Sequence, residues 1–162
     1  MKRRAPAAAV LLALGVAPAL AGCGGDGGDG DRTVPRAQLI AKADARCQRD
    51  RARISALPTP KFDPTNPTAG QLPEAATYIS KVRAVNVAGL SYVRGLGRPD
   101  SRTKAYDAAL DAADELNASL KAAEEAAQAR DVPLFKAALE TLQENEGERH
   151  AKAFGFRFCA QG

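Results

Sequence analysis

The sequence predicts an all-α protein, an up-down-up-down four-helix bundle that follows a signal peptide and a flexible tether. Three observations carry this prediction. In four long segments, apolar residues recur at three- and four-residue steps, which is the spacing of one helix face. No segment alternates β-branched and polar residues as a half-buried strand does, and no Asn-Gly turn occurs. The connections between the four segments are mostly short, which favours a bundle.

Three regions follow from the order of these segments: 1–22 as a signal peptide, 23–34 as an attachment cysteine with a Gly/Asp-rich tether, and 35–162 as the helical domain. The first region has a basic head, an apolar alanine- and leucine-rich stretch and small residues at its end, which is the plan of a secretory signal. The apolar stretch contains Pro6 and Pro18 and is at the short limit for a membrane span. A retained span is the alternative to cleavage.

The end of the first region, Leu20-Ala21-Gly22-Cys23, resembles the bacterial lipobox, in which an aliphatic residue and two small residues precede a cysteine. The resemblance implies that a diacylglycerol is attached to the Cys23 thiol and that the chain is cut just before this residue. Two or more acyl chains make a durable anchor. The glycines and aspartates that follow predict a loose spacer between the lipid and the folded part. An ordinary signal peptide with a stray cysteine is the alternative.

The first two predicted helices are separated by a proline-rich connection. The first helix spans about 35–57, with Thr33 as its cap and a proline in its first turn. The connection, 58–70, contains four prolines and is therefore expected to be extended. The second helix spans about 72–96, with Pro73 at its start and a glycine and a proline after its end.

The last two predicted helices complete the bundle. The third spans about 100–130, capped by Asp100 or Ser101. The fourth begins after Asp131, spans about 133–154 and stops at Gly155. The first two helices carry net positive charge and the last two carry net negative charge. In an antiparallel ring, opposite charges would then meet between helices 2 and 3 and between helices 4 and 1. Each exposed pair is worth little, but together they favour this order.

The net charge of the chain excludes one class of function. The formal charge is +4, but three of the 23 basic residues and none of the 19 acidic residues precede Cys23. The chain that remains after cleavage is almost neutral, so its charge gives no reason to expect nucleic-acid binding. Aromatic residues are few and tryptophan is absent, which leaves no platform for stacked bases.

Three cysteines define the candidate covalent sites. If Cys23 carries lipid, Cys47 and Cys159 remain, and such a pair outside the cytoplasm usually forms a disulfide. Closing a loop of this length is worth about 4–5 kcal/mol in the chain-entropy description. A redox pair or a metal site is the alternative, although the close Cys-x-x-Cys spacing of a redox pair is absent. The C-terminal tail must double back to reach the first helix, and Phe156 and Phe158 could then close the core.

Candidate catalytic and metal-binding residues are few. His150 is the sole histidine, and Glu146 lies one turn before it, so a two-ligand metal site is conceivable. The di-iron bundle pattern needs Glu-x-x-His twice and is missing, so a cap or surface histidine is the simpler interpretation. Ser101 and Lys104 have the Ser-x-x-Lys spacing of penicillin-binding enzymes without the companion elements, which indicates a helix start. We expect no enzyme activity, no catalytic residue, no cofactor and no metal.

Two further polar features allow a binding role. Asn86 falls on the apolar face of the second helix, where a buried amide either fixes the register of the helices or lines a small cavity. The arginines of 46–53 could bind acidic partners or phosphates. A solvated face that pairs with the fourth helix is the simpler interpretation of these arginines.

Two longer stretches, "ADARCQRDRARISALPTP" and "AFGFRFC", resemble small helical lipoproteins of high-GC actinobacteria, a class without an assigned activity. The resemblance implies a location, anchored by lipid to the outer face of the cytoplasmic membrane. We therefore expect a non-enzymatic extracytoplasmic domain that binds another envelope component, such as a protein, through its helix faces. The alternative is a small-ligand or metal-binding bundle with its site near Asn86 or His150.

Overall fold

The computed structural model describes residues 32–61, 63–64 and 66–161, and this part of the chain is mostly helical. The predicted signal peptide, Cys23 and nearly all of the tether lie outside the described residues. Across the described ranges, no helix combines the length and the apolar character that crossing a membrane requires.

Five helices and one short pair of strands form the described fold. The two strands are parallel, with Thr33 opposite Arg98 and Val34 opposite Pro99. The sequence does not predict this ladder, which ties the start of the domain to the turn after the second helix. In chain order the elements are β1 Thr33–Val34, α1 Arg36–Ser55, α2 Leu72–Gly95, β2 Arg98–Pro99, α3 Thr103–Gln128, α4 Val132–Gln143 and α5 Gly147–Phe154.

Asp100 caps α1 and not α3. Its carboxylate accepts a hydrogen bond from the backbone N–H of Arg36, the first residue of α1, at 3.1 Å. Thr33 lies in β1, and α3 begins at Thr103 behind Arg102, which has a left-handed φ of 57°. The expected cap at Thr33 and the expected caps of α3 at Asp100 or Ser101 are therefore wrong. The parallel strands bring Asp100 beside the start of α1, and Ser101 donates to Asp100 instead.

The expected helix boundaries at Asp131 and Gly155 are confirmed. Asp131 caps α4 by accepting the backbone N–H of Leu134 at 3.0 Å. Gly155 ends α5 with a φ of 113°, a conformation that glycine adopts without steric penalty. A Cβ at this position would also collide with the guanidinium of Arg36.

The predicted fourth helix is broken into α4 and α5 between Gln143 and Gly147. Asn145 causes the break. Its side-chain amide donates to the backbone oxygen of Ala112 on α3 at 3.0 Å, and its side-chain oxygen accepts the backbone N–H of Gly147 at 2.9 Å. Asparagine side chains that bond the neighbouring backbone compete with the helix ladder, and glycine is a weak helix former. The expectation of one continuous helix is therefore wrong.

The core is divided into two clusters along the helices. The first cluster lies where α1, the end of α2, the start of α3, α5 and the C-terminal tail meet, and Leu39, Tyr106 and Phe154 are its largest fully buried side chains. The second cluster joins the first half of α2, the second half of α3 and α4 around Leu72 and Phe135. Many other core positions are alanines, which lets the helix axes approach closely.

α3 is the central helix of the fold. It packs against α2, α4 and α5, whereas α1 packs mainly against α2. The expected pairing of opposite charges between the second and third helices is confirmed by the ion pairs Arg83–Glu124 and Arg94–Asp114. The corresponding pairing of the first and fourth helices is wrong, since no ion pair between described residues joins α1 to α4 or α5. The C-terminal tail lies against α1 instead.

Candidate functional site

The C-terminal tail returns from the end of α5 to the middle of α1. The sulfur atoms of Cys47 and Cys159 lie 2.05 Å apart, and the corresponding Cα atoms lie 5.1 Å apart. The Cα separation is within the range that a disulfide requires. The fold therefore permits the bridge that the sequence predicts between these two residues.

Asp44 holds the same tail through backbone hydrogen bonds. Its carboxylate is only 7% exposed and accepts the N–H groups of Arg157, Phe158 and Cys159 at 3.0–3.2 Å. Hydrogen bonds from several N–H donors satisfy a buried carboxylate without a counter-cation. Sequence reasoning missed Asp44, and its only signal is the spacing of three residues from Cys47, which places both on one face of α1.

Aromatic rings fill the core beneath the tail. The ring of Phe154 lies 5.2 Å from that of Tyr106 and 4.8 Å from that of Phe156. The Tyr106 hydroxyl donates to the backbone oxygen of Val93 at 3.2 Å, and burial raises the pKa of this hydroxyl. The expectation that two tail phenylalanines close the core is confirmed for Phe156, which is 6% exposed. It is wrong for Phe158, which is 39% exposed because it lies at the tip of the turn held by Asp44.

Arg46, the first arginine of the arginine-rich part of α1, lies within the α1/α2 contact. Arg46 donates to the carboxylate of Asp50 at 2.6 Å, and its guanidinium lies 5.4 Å from the centre of the Tyr92 ring on α2. Asp50 is buried directly against Gly89, where an added Cβ would come within 2.8 Å of its Oδ2 atom. Arg46 therefore does not belong to a face that pairs with the fourth helix.

A second buried charge lies between α2 and α3. Arg83 donates to Glu124 at 2.7 Å, and the side-chain amide of Gln128 donates to the other carboxylate oxygen at 3.3 Å. The hydrogen bond from Arg83 is the main reason why the pKa of Glu124 is lowered, although burial acts in the opposite direction and Ser80 adds a smaller lowering. The carboxylate is thus held in its charged form and is neutralised by its partner.

An open groove of about 520 Å³ lies above this ion pair, between the first half of α2 and the end of α3. It contains two cationic side chains and no carboxylate. Neither cation has an ion-pair partner in the part of the chain that the structure describes. Sequence reasoning missed the groove because its two sides are far apart along the chain and share no motif. The lining residues are Pro73, Ala76, Thr77, Ser80, Lys81, Gln128 and Arg130.

His150 and Glu146 lie close together, and Arg149 shares the Glu146 carboxylate. The Nε2 atom of His150 lies 3.7 Å from the Glu146 carboxylate, but Arg149 binds the same carboxylate oxygen. The hydrogen bond from Arg149 is the main reason why the pKa of Glu146 is lowered. Among residues 32–161, as far as they are described, no group of three or more His, Cys, Asp or Glu side chains could hold a metal ion.

The remaining candidate residues lie apart from one another. Asn86 is half-buried on α2, and neither the groove described above nor the smaller one beside it includes Asn86 or His150 in its lining. Ser101 donates to Asp100 at 3.0 Å just before α3, and Lys104 is exposed in the first turn of that helix. The interpretation of the Ser-x-x-Lys spacing as a helix start is confirmed.

No protein-family model, curated protein or solved structure matches the chain. Function therefore has to be inferred from its own residues: the three cysteines, the tail held by Asp44, and the groove between α2 and α3.

Proposed function

We propose that the protein is a lipid-anchored helical domain at the extracytoplasmic face of the cell membrane, where it binds another envelope component without catalysing a reaction. The distribution of the three cysteines carries the proposal. Cys47 and Cys159 lie at disulfide distance, which leaves Cys23, at the end of the lipobox-like sequence, for the lipid. A structural disulfide is typical of oxidising compartments outside the cytoplasm, so both features agree on location.

We also propose that the helices follow an up-down-up-down order, with α4 and α5 together forming the fourth. The pairing of helix ends supports this order. Leu39 near the start of α1 shares a core cluster with Val93 near the end of α2, and Tyr106 near the start of α3 belongs to the same cluster. Ala151 in α5 belongs to the same cluster, so the start of α1 and the end of α5 lie at the same end of the bundle.

The groove between α2 and α3 favours a second candidate function, a small-ligand-binding domain at the cell surface. Its volume of about 520 Å³ is within the range of ligand sites. The two candidates share the anchor and differ in the ligand, which is a protein surface in the first and a small molecule in the second. A groove-lining substitution that abolishes binding of a small molecule would favour the second.

Labelling of growing cells with an alkyne fatty acid tests the anchor. The wild-type protein should carry the label and remain with the membrane fraction, and Cys23→Ala should lose both properties. The matched control is the double variant Cys47→Ala/Cys159→Ala, which also loses thiols but should keep the label. Label that persists in Cys23→Ala, or that is absent from the wild type, would contradict the proposed anchor.

A further inference from the structure

We propose that the groove between α2 and α3 binds the phosphate group of a soluble phosphate ester, with Lys81 and Arg130 as its cationic contacts. This inference names the ligand of the proposed binding domain. It rests on the proposed function only for the location of the protein at the cell surface.

The donors that remain free in the groove are suited to an oxyanion. The Thr77 hydroxyl already donates to the backbone oxygen of Pro73 at 3.0 Å, and one N–H of the Gln128 amide is used by Glu124. The ammonium of Lys81, the guanidinium of Arg130 and the second N–H of Gln128 are left to face the groove. Charge-assisted hydrogen bonds of this kind are the strongest that a phosphate can accept.

The carboxylates around the groove do not cancel its positive charge. Glu124 lies beneath the groove and is neutralised by Arg83 at 2.7 Å. Asp131 is turned to the start of α4, where it accepts the N–H of Leu134. Glu74 lies in the neighbouring smaller groove, which it shares with Lys81, and its carboxylate accepts the backbone N–H of Lys61 at 3.3 Å.

The backbone conformation of Arg130 belongs to the turn that ends α3. Its φ of 58° is left-handed, a conformation that an L side chain adopts only at an energetic cost and that glycine adopts freely. The turn closes the end of α3, since the N–H groups of residues 129–131 bond the carbonyl oxygens of residues 125–127. A left-handed residue is a common way to end a helix, and it places the Arg130 cation at the negative end of the α3 dipole.

Arg102 is the other left-handed arginine, and its side chain, unlike that of Arg130, has a local partner. Arg102 has a φ of 57°, and its guanidinium donates to the backbone oxygen of Ala153 at 3.0 Å. The guanidinium of Arg130 has no such bond to any described residue and lines the groove. The guanidinium of Arg130 is therefore available to a ligand in the groove.

The position of the groove favours a ligand away from the anchoring membrane. The tether enters the domain at β1, which pairs with β2 just after the end of α2. Thr77 and Lys81 lie in the first half of α2, and the helix rise places them about 20–27 Å from that end. A lipid headgroup next to the anchor is therefore a poorer match than a soluble phosphate ester.

Titration of the ¹⁵N-labelled full-length protein in detergent micelles, with whatever modification Cys23 carries, with glycerol phosphate tests the site, with chloride at equal ionic strength as the reference. The amide signals of Thr77, Ser80, Gln128 and Arg130 should shift and saturate. Arg130→Gly should weaken binding about tenfold, as the loss of one charge-assisted contact implies, while the melting temperature stays the same or rises. Lys81→Gln should weaken binding similarly.

The matched control is Arg102→Gly, which relieves the same backbone strain elsewhere and should bind glycerol phosphate like the wild type. Unchanged affinity in Arg130→Gly, shifts confined to the arginines of α1, or no saturable shift at all would each overturn the site. Vesicles of phosphatidylglycerol that shift the groove signals when glycerol phosphate does not would overturn the assignment to a soluble ester. Because the purified protein is used, failure here is independent of the fatty-acid labelling result.

Discussion

Asp44 accepts the backbone N–H of Cys159 at 3.2 Å, and Cys47, three residues further along α1, places its sulfur beside that of Cys159. The tail is thus held to one face of α1 at two points, by a buried carboxylate and by a cysteine pair. Between them they fix the turn that carries Phe156 into the first core cluster. The C-terminal tail is therefore part of the first core cluster.

Asp44→Ala should lower the free energy of unfolding by about 3 kcal/mol, because three backbone N–H groups lose a charged acceptor. Urea denaturation of the purified protein measures this change. Asp111→Ala is the matched control, since Asp111 is exposed on α3, and it should change stability by less than about 0.5 kcal/mol. Equal stability of the two variants would show that the tail is not held by Asp44.

Replacing Cys47 and Cys159 together by alanine should lower the free energy of unfolding by about 2–4 kcal/mol, since the unfolded chain regains the freedom that the closed loop removes. The same loss should appear in the wild type when a reductant is added before denaturation. A double variant as stable as the oxidised wild type would contradict the bridge.

Gly89→Ala should lower stability by about 1–2 kcal/mol, although alanine is the better helix former. The added Cβ would come within 2.8 Å of the Asp50 carboxylate, which Arg46 holds in place. Gly95→Ala is the control, because nothing lies within 4 Å of its added Cβ, and it should raise stability by about 0.5 kcal/mol. Thermal unfolding of both variants distinguishes close packing of α1 on α2 from a simple effect of helix propensity.

Acidification should remove the stabilisation supplied by Glu124. The hydrogen bond from Arg83 lowers the pKa of this carboxyl in the folded state below its ordinary value of 4.5. The contribution is therefore complete above the unfolded pKa and is lost as the pH falls through the folded pKa. Glu124→Gln should make the free energy of unfolding less dependent on pH below about pH 5.

Glu146→Gln is the matched control for that pH series. The pKa of Glu146 is also lowered, chiefly by the hydrogen bond from Arg149, but the side chain is 60% exposed. Exposed pairs contribute little to stability because solvent screens them. If the pH dependence of the free energy of unfolding changes as much in Glu146→Gln as in Glu124→Gln, the Arg83–Glu124 pair does not contribute more than an exposed pair.

Most of the helical fold can be predicted from periodicity and from the residues that end helices. Pro73, Asp131 and Gly155 mark boundaries by local chemistry, so each was available from the sequence. The break at Asn145 was not, because its side chain leaves the helix only when α3 presents the Ala112 carbonyl oxygen. The cap that Asp100 gives to α1 likewise depends on a strand pairing of two residues, too short to leave a pattern.

The sequence predicts the cysteine pair of the candidate site but does not predict the groove. Once Cys23 is assigned to the lipid, two cysteines remain, so the sequence predicts that Cys47 pairs with Cys159. No sequence pattern around Asp44 predicts that this residue binds the tail. Lys81 and Arg130 line the same groove only because α2 and α3 pack side by side. In the sequence, each of them is an ordinary surface cation. Contacts between distant segments of this kind need the packed structure.

The intact mass of the protein extracted from its native membrane, with and without reductant, tests the central claim most directly. The proposal predicts a chain that begins at Cys23, is heavier by two or three acyl chains and gains about two daltons on reduction. An unmodified mass, or a mass that reductant leaves unchanged, would contradict the lipid anchor or the disulfide respectively.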